Sequence, residues 1–143
     1  DVINMEVERA HDIQERIDEI LSVMGPDMGH VINARIICMR SRDAKARAYA
    51  RIWALPSIWQ KALEINPFYV IEVLTEKFDR LGDEDKTKIL IHELMHVPKK
   101  FSGGLVPHNN RGCKIDRVNV DKAYEKYLEK KKLKAESTDS IFP

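Results

Sequence analysis

Hydrophobic residues near the start of the chain recur every three or four positions, with acidic residues and arginine between them. These apolar positions are Ile3, Val7, Ala10, Ile13, Ile17, Ile20, Leu21 and Met24. The spacing predicts an amphipathic helix over residues 2–24, because it places the apolar side chains on one face. Gly25 and Pro26 end the pattern, since proline lacks the amide donor that a helix interior requires.

Three later segments alternate between two faces, as β-strands do. Residues 30–40 alternate clearly, and residues 68–74 are rich in β-forming side chains. Residues 46–53 also alternate, but their many alanines leave strand and helix both open. Helices are predicted at residues 55–63, 83–97 and 118–135. The segments therefore predict an α+β protein with a helix at each end.

Length and composition predict one domain over residues 1–143, with a frayed tail at 135–143. Hydrophobic residues make up 43% and charged residues 33% of the chain, the balance of an ordinary globular protein. The apolar runs are far shorter than the roughly 20 residues that cross a bilayer, which argues against a membrane protein. Cys38 and Cys113 form no disulfide framework and no leader pattern is visible, so we expect a cytoplasmic protein.

Charge is balanced over the whole chain, with 24 basic and 23 acidic residues, but it is uneven locally. Residues 111–134 hold nine basic residues against four acidic ones, and residues 40–51 hold five against one. The simpler interpretation is two solvent-exposed faces. If both segments lie on one face, contact with nucleic-acid phosphates becomes a second hypothesis.

The segment from His92 to His96 carries the strongest chemical signal, an H-E-x-x-H pattern within a predicted helix. Residues four positions apart share one helical face, so both imidazoles can converge on one Zn²⁺. Glu93 lies about 100° around the helix, where it is a poor ligand but can accept a proton from water. The pattern predicts His92 and His96 as zinc ligands and Glu93 as the catalytic base.

A catalytic zinc site uses three protein ligands and leaves the fourth position to water. Pro98 ends the helix directly after His96, and the glycines and prolines that follow let the chain fold back. His108, 12 residues beyond His96, is therefore the predicted third ligand. The alternatives are an acid on the last helix or a thiolate: Asp116, Asp121, Glu125 or Cys113. His11 and His30 lie in unrelated segments and are predicted to be surface or core residues.

Three stretches together resemble the small zincin metallopeptidases: residues 69–74, 84–96 and 97–108. Within that class, the chain is similar to the stand-alone metallopeptidases of archaea and phages, distant relatives of SprT-like proteins. The resemblance covers residues 31–113, although the chain lacks the metzincin G-x-x-H after the second histidine and a clear E-x-x-x-D on the next helix.

The resemblance implies a small twisted mixed sheet packed on the active-site helix, with zinc in the cleft and peptide substrate along an edge strand. It gives residues 68–74 as that candidate edge strand. It also implies that His92, His96 and His108 ligate zinc and that Glu93 is the general base.

The expected reaction is peptide-bond hydrolysis by a zinc-activated water, with Glu93 as the base. A further donor must stabilise the oxyanion, and sequence proximity offers four candidates without assigning one: Arg111, Lys114, Tyr124 and Tyr127. Two other interpretations stay open. One is a catalytically inactive zincin-fold module that associates with protein or nucleic-acid partners, which a fourth protein ligand such as Cys113 would favour. The other is a hydrolase of non-peptide substrates.

Overall fold

The computed structural model describes residues 6–141, which form one four-stranded sheet and five α-helices. The strands are β1 (Glu6–Arg9), β2 (Ile36–Arg42), β3 (Ala50–Ala54) and β4 (Tyr69–Leu74). The helices are α1 (His11–Met24), α2 (Ser57–Leu63), α3 (Thr75–Phe78), α4 (Asp83–Met95) and α5 (Arg117–Ile141). This arrangement confirms the α+β class, and it is compatible with a zincin-like fold.

The strands lie in the order β1-β2-β4-β3, in which β2 and β4 are parallel and the two outer pairs are antiparallel. β4 is therefore an interior strand, and the prediction of an edge strand at residues 68–74 is wrong. The reason is visible in its side chains, which are almost all buried and largely apolar on both faces, as is typical of an interior strand. β3 is the edge strand beside it, and it overlaps residues 46–53, the segment whose alanines left strand and helix open.

Both ends of the described chain differ from the sequence prediction. Residues 6–9 form strand β1 and pair with β2, so the first helix starts at His11 instead of residue 2. Apolar spacing alone does not reveal this partner strand, whose paired residues lie 30–36 positions away. Ile3 lies outside the described residues. At the other end, the last helix extends beyond its predicted end at residue 135, since α5 continues to Ile141 and no glycine or proline interrupts residues 117–141.

The hydrophobic core lies between the sheet and the helices α1, α4 and α5. α1 packs against β2, α4 packs against β3, and both helices contact α5. The residues at the centre of this core are fully buried: Ile13, Ile17 and Ile20 of α1, Cys38 of β2, Ile71 and Val73 of β4, and Leu90, Ile91 and Leu94 of α4. Since one side of α4 is fixed in this way, the side chains on its remaining face are positioned rigidly.

Glu72 is a buried carboxylate on β4, with 5% of its surface exposed. It accepts hydrogen bonds from the Ser41 hydroxyl, from Arg51 Nε at 2.7 Å and from Trp53 Nε1 at 2.7 Å. Burial by itself raises the pKa of a carboxyl group, but these three donors outweigh it and hold the pKa of Glu72 below its ordinary value. The carboxylate thus joins β2, β3 and β4.

We expect Glu72→Gln to lower the free energy of unfolding by about 1.5–3 kcal/mol at pH 7, because it weakens hydrogen bonds to a charged group. A carboxyl group with a depressed folded-state pKa stabilises the protein above its unfolded-state pKa and loses that contribution as pH falls through the folded-state value. Urea unfolding at a series of pH values should therefore show the difference between wild type and variant shrinking below the unfolded-state value near 4.5. A difference that stayed constant down to pH about 2 would contradict this role.

Candidate metal centre

α4 carries His92, and His96 follows one turn later as the residue that caps the end of the helix. The helix opens with Asp83, Glu84 and Asp85, whose charges suit the positive end of the helix dipole. It ends at Met95, and Pro98 prevents it from continuing, because proline lacks the amide donor that a helix interior requires. The two Nε2 atoms lie 3.3 Å apart, so both rings point to the same place.

The loop after α4 folds back and brings His108 to the same point. Nε2 of His108 lies 3.1 Å from Nε2 of His92. The fold-back is fixed by two contacts between His96 and Val106: the Val106 amide donates to the His96 carbonyl at 2.7 Å, and Nδ1 of His96 donates to the Val106 carbonyl at 2.6 Å. Ile115 holds the far side of the loop by donating its amide to the His108 carbonyl at 2.8 Å.

Gly103 is required for the path of this loop. Its φ is +96°, in the region that favours glycine, and a Cβ atom there would lie 2.1 Å from Nε2 of Gln60 on α2. Tyr69 of β4 closes the same contact, accepting a hydrogen bond from the Gly103 amide at 2.9 Å and donating one to the Gly104 carbonyl at 2.9 Å. The loop that carries His108 is therefore fastened to both α2 and β4.

The three histidines could hold one metal ion, and their spacing is compatible with a tetrahedral ion such as zinc. One ligand atom from each of His92, His96 and His108 lies within 4.8 Å of the others. Two nitrogens bound at the usual 2.0–2.1 Å to a tetrahedral ion lie about 3.3 Å apart, which matches the two close Nε2 separations. Because His96 donates through Nδ1, its Nε2 carries the free lone pair, and a carbonyl partner of this kind is typical behind metal-bound histidines.

Two of the three imidazoles, those of His92 and His96, are in the protonation state that binds metals. Burial, helped by the neighbouring His96 and His108, lowers the pKa of His92 to about 4. Burial also lowers the pKa of His96. Both rings are therefore neutral at pH 7, and a metal does not have to displace a proton from them.

Glu93 follows His92 on α4 and is 7% exposed, with its side chain at the wall of the adjoining cleft. Burial raises the pKa of this carboxyl group to about 8. A cation held by the neighbouring histidines would lower that pKa, because positive charge favours the carboxylate. Glu93 is not part of the group of converging ligand atoms.

A cleft of about 440 Å³ opens beside α4, with His92 and Glu93 on one wall. The other walls come from the start of the edge strand β3 and the start of α5. The remaining lining residues are Tyr49, Ala50, Asp85, Lys88, Ile89, Arg117, Val120 and Asp121. The first residue of an edge strand, a buried carboxyl group and one histidine of the converging cluster thus line one open space.

A family model described as putative phage metallopeptidase matches residues 5–132 of the chain. The chain belongs to this phage metallopeptidase family. Family membership and the three converging histidines together indicate a metal-dependent peptidase that acts on proteins or peptides. No curated protein and no solved structure matches the chain. The likeness to archaeal and SprT-like proteins stays a prediction.

The alternative third ligands of this metallopeptidase lie outside the histidine group in the part of the chain that the structure describes. Asp116 accepts a hydrogen bond from the Asn119 amide at 2.9 Å at the start of α5. Asp121 forms an ion pair with Lys88 at 3.1 Å. Cys113 is exposed.

The candidate donors for the oxyanion are placed differently from one another. Tyr124 and Tyr127 are buried on α5, and neither lines the cleft of the metallopeptidase. Arg111 and Lys114 are exposed on the loop before α5. Arg117 does line the cleft, and sequence reasoning missed it, because only the packing of α5 against α4 brings it there.

Much of the local positive charge on the metallopeptidase is paired with acids. The ion pairs join Arg40 to Asp12 and Asp79, Arg42 to Glu8, Arg51 to Glu72, Lys126 and Lys130 to Asp27, and Lys131 to Glu19. These pairs support the interpretation of solvent-exposed faces, while contact with nucleic acid stays a prediction. Among residues 6–141, no helix combines the length and the apolar character that crossing a bilayer demands.

Proposed function

We propose that the protein is a zinc-dependent peptidase in which His92, His96 and His108 hold the ion and Glu93 is the general base. The observation that carries the proposal is the convergence of the three Nε2 atoms beside a cleft that Glu93 also lines. Three protein ligands leave a position free for water or substrate, which a catalytic zinc site requires. Cys113 lies outside the group of converging ligand atoms, which argues against it as a fourth protein ligand.

Glu93 and its surroundings account for the movement of protons. When bound, Zn²⁺ supplies Lewis acidity, which polarises a carbonyl group and makes water more acidic. Glu93 accepts one proton as water oxygen bonds to the carbonyl carbon, and it returns that proton to the amine nitrogen as the C–N bond breaks. Burial raises the pKa of Glu93 to about 8, and a cation at the histidines would lower it again, which suits a group that both takes and returns a proton.

The free edge of β3 provides a place for the substrate backbone. β3 is an edge strand, α4 packs against it, and its first residue, Ala50, lines the cleft. An extended peptide can add to such an edge through main-chain hydrogen bonds, which depend little on side-chain identity. This arrangement supports polypeptide substrates over small non-peptide ones.

Metal analysis tests the proposal. We expect protein purified after zinc-supplemented expression to carry about one zinc ion per chain, since three imidazoles converge on one point. Chelation should abolish peptide hydrolysis, and added Zn²⁺ should restore it. Hydrolysis that survives complete removal of zinc, measured by elemental analysis of the same sample, would contradict the proposal.

A further inference from the structure

The two helices that line the cleft, α4 and α5, run in opposite directions. Glu84, near the start of α4, lines a second pocket together with Tyr127 and Leu128 of α5. Lys88, one turn later on α4, forms its ion pair with Asp121, which lies about two turns earlier on α5. A step forward along α4 therefore corresponds to a step back along α5.

This antiparallel register places Arg117 beside His92. His92 lies four positions beyond Lys88 on α4, and Arg117 lies four positions before Asp121 on α5. Because the helices are antiparallel, both steps lead about 6 Å in the same direction from the ion pair. Arg117 and His92 also line the same cleft. The guanidinium group thus belongs to the end of the cleft that holds the histidine cluster.

Arg117 is a cation of the cleft that no acid of the described chain neutralises by contact. The other basic residue of the lining, Lys88, is held at 3.1 Å by Glu84 and at 3.1 Å by Asp121. Arg117 is exposed, and among the described side chains none forms an ion pair or a hydrogen bond with it. A free guanidinium group presents a planar fork of donors that matches a carboxylate.

The two remaining acids of the cleft do not take this role. Asp85 lies seven positions before His92 on α4, about 10 Å along the helix and toward the opposite end of the cleft. Glu93 is buried, and burial is the cause that raises its pKa to about 8, with no contribution from Arg117. The carboxylate that Arg117 suits is therefore one that the substrate brings.

We propose that Arg117 binds a carboxylate of the substrate, so that this peptidase prefers polypeptides with an acidic group close to the cleaved bond. The inference rests on the proposed function and extends it by naming the substrate class. The α4 wall of the cleft, from Asp85 to His92, is about 10 Å long, which equals about three residues of an extended peptide. The acidic group is therefore expected within about three residues of the cleaved bond.

The setting of Arg117 favours recognition of a substrate carboxylate over stabilisation of the oxyanion. An oxyanion donor must be held in place before the reaction, because preorganisation is the source of its effect. Arg117 has an exposed side chain that no described partner holds. Such a side chain can adjust to a carboxylate that arrives with the substrate.

Peptides that differ by one charged group test the preference. Internally quenched fluorescent peptides with blocked ends carry Glu, Gln or Lys at one of the three positions on either side of the cleaved bond, and mass spectrometry locates that bond. We expect kcat/KM of the wild type to be about tenfold higher for the best Glu peptide than for its Gln partner. In Arg117→Gln the ratio should fall to about one.

A charge reversal and a matched control complete the kinetic test. Arg117→Glu should make the Lys peptide a better substrate than the Glu peptide, because the charge at the cleft wall changes sign. Arg80→Gln removes the same charge from an exposed arginine that does not line the cleft, so the Glu preference should stay at its wild-type value. Circular dichroism establishes that each variant is folded.

Binding can be measured without hydrolysis in the zinc-loaded Glu93→Gln protein. Fluorescence anisotropy of labelled peptides should show the Glu peptide bound about tenfold more tightly than the Gln peptide, and an added Arg117→Gln change should remove the difference. Since salt screens exposed charges, the difference should also shrink as the ionic strength rises. Peptides with a free or an amidated C-terminus show whether the carboxylate comes from a side chain or from the chain end, and a preference for either supports the proposal.

Two results would overturn the assignment. One is equal binding and hydrolysis of the peptides with and without a carboxylate at every position. The other is a wild-type preference that persists in Arg117→Gln; if kcat fell equally for both peptides in that variant, the guanidinium group would serve the oxyanion instead. A wild type that hydrolyses none of the peptides counts against the proposed function, whereas equal binding in the Glu93→Gln background counts against the role of Arg117.

Discussion

Substitution of Glu93 by glutamine is expected to lower kcat for peptide hydrolysis by about 10²–10⁴ while the zinc content stays unchanged. Glutamine keeps the size of the side chain and its place at the cleft wall, but it cannot accept a proton from water. Glu93 lies outside the converging ligand atoms, so the ion should be retained. Elemental analysis and steady-state kinetics on the same preparation measure both quantities.

Glu84→Gln is the matched control for this experiment. Glu84 lies on the first turn of the same helix and forms an exposed ion pair with Lys88 at 3.1 Å, away from the histidines. Exposed pairs of this kind contribute little, so kcat and stability should change only slightly. Equal activity in Glu93→Gln and wild type would refute the base, and zinc loss in Glu93→Gln would show that Glu93 acts on the metal instead.

The His108→Ala variant is expected to bind zinc at least about a hundredfold more weakly and to lose hydrolysis to the same extent. Changes behind metal ligands already cost about 10–100-fold in affinity, and this change removes a ligand outright. Because His108 is exposed, the hydrophobic core should be unaffected and the variant should fold. Competition with a zinc-binding dye measures the affinity, and circular dichroism checks the fold.

His11→Ala provides the corresponding histidine control, since His11 is exposed at the start of α1 and far along the chain from the cluster. Its zinc affinity should equal that of the wild type. If His108→Ala also bound zinc with wild-type affinity, the third ligand would have to be another side chain. His108 would then not be the zinc ligand that this loop supplies.

Sequence reasoning succeeded where the information is local. The four-residue spacing of His92 and His96 and the stop at Pro98 are properties of one helix, and the glycines that allow His108 to return are close in the chain. The local signal was strong enough to predict the helix and the turn after it.

The sequence did not predict how strands that are far apart in the chain pair with one another. β4 pairs in parallel with β2, and β3 is displaced to the outside, although β3 lies between them in the chain. The hydrophobic pattern of residues 68–74 predicts a strand but not its neighbours, because pairing depends on long-range contacts. For the same reason, β1 and Arg117 were not anticipated.

The reciprocal contacts between His96 and Val106 couple metal binding to the order of the loop formed by residues 97–108. A ligand that holds the three rings together also restricts the backbone between them, and thermodynamic linkage makes that influence mutual. Any change that makes this loop more flexible, such as a side chain added at Gly103, would thus lower the affinity for the ion although it alters no coordinating atom. In such a protein, saturation with zinc and the order of a surface segment are two measures of one equilibrium.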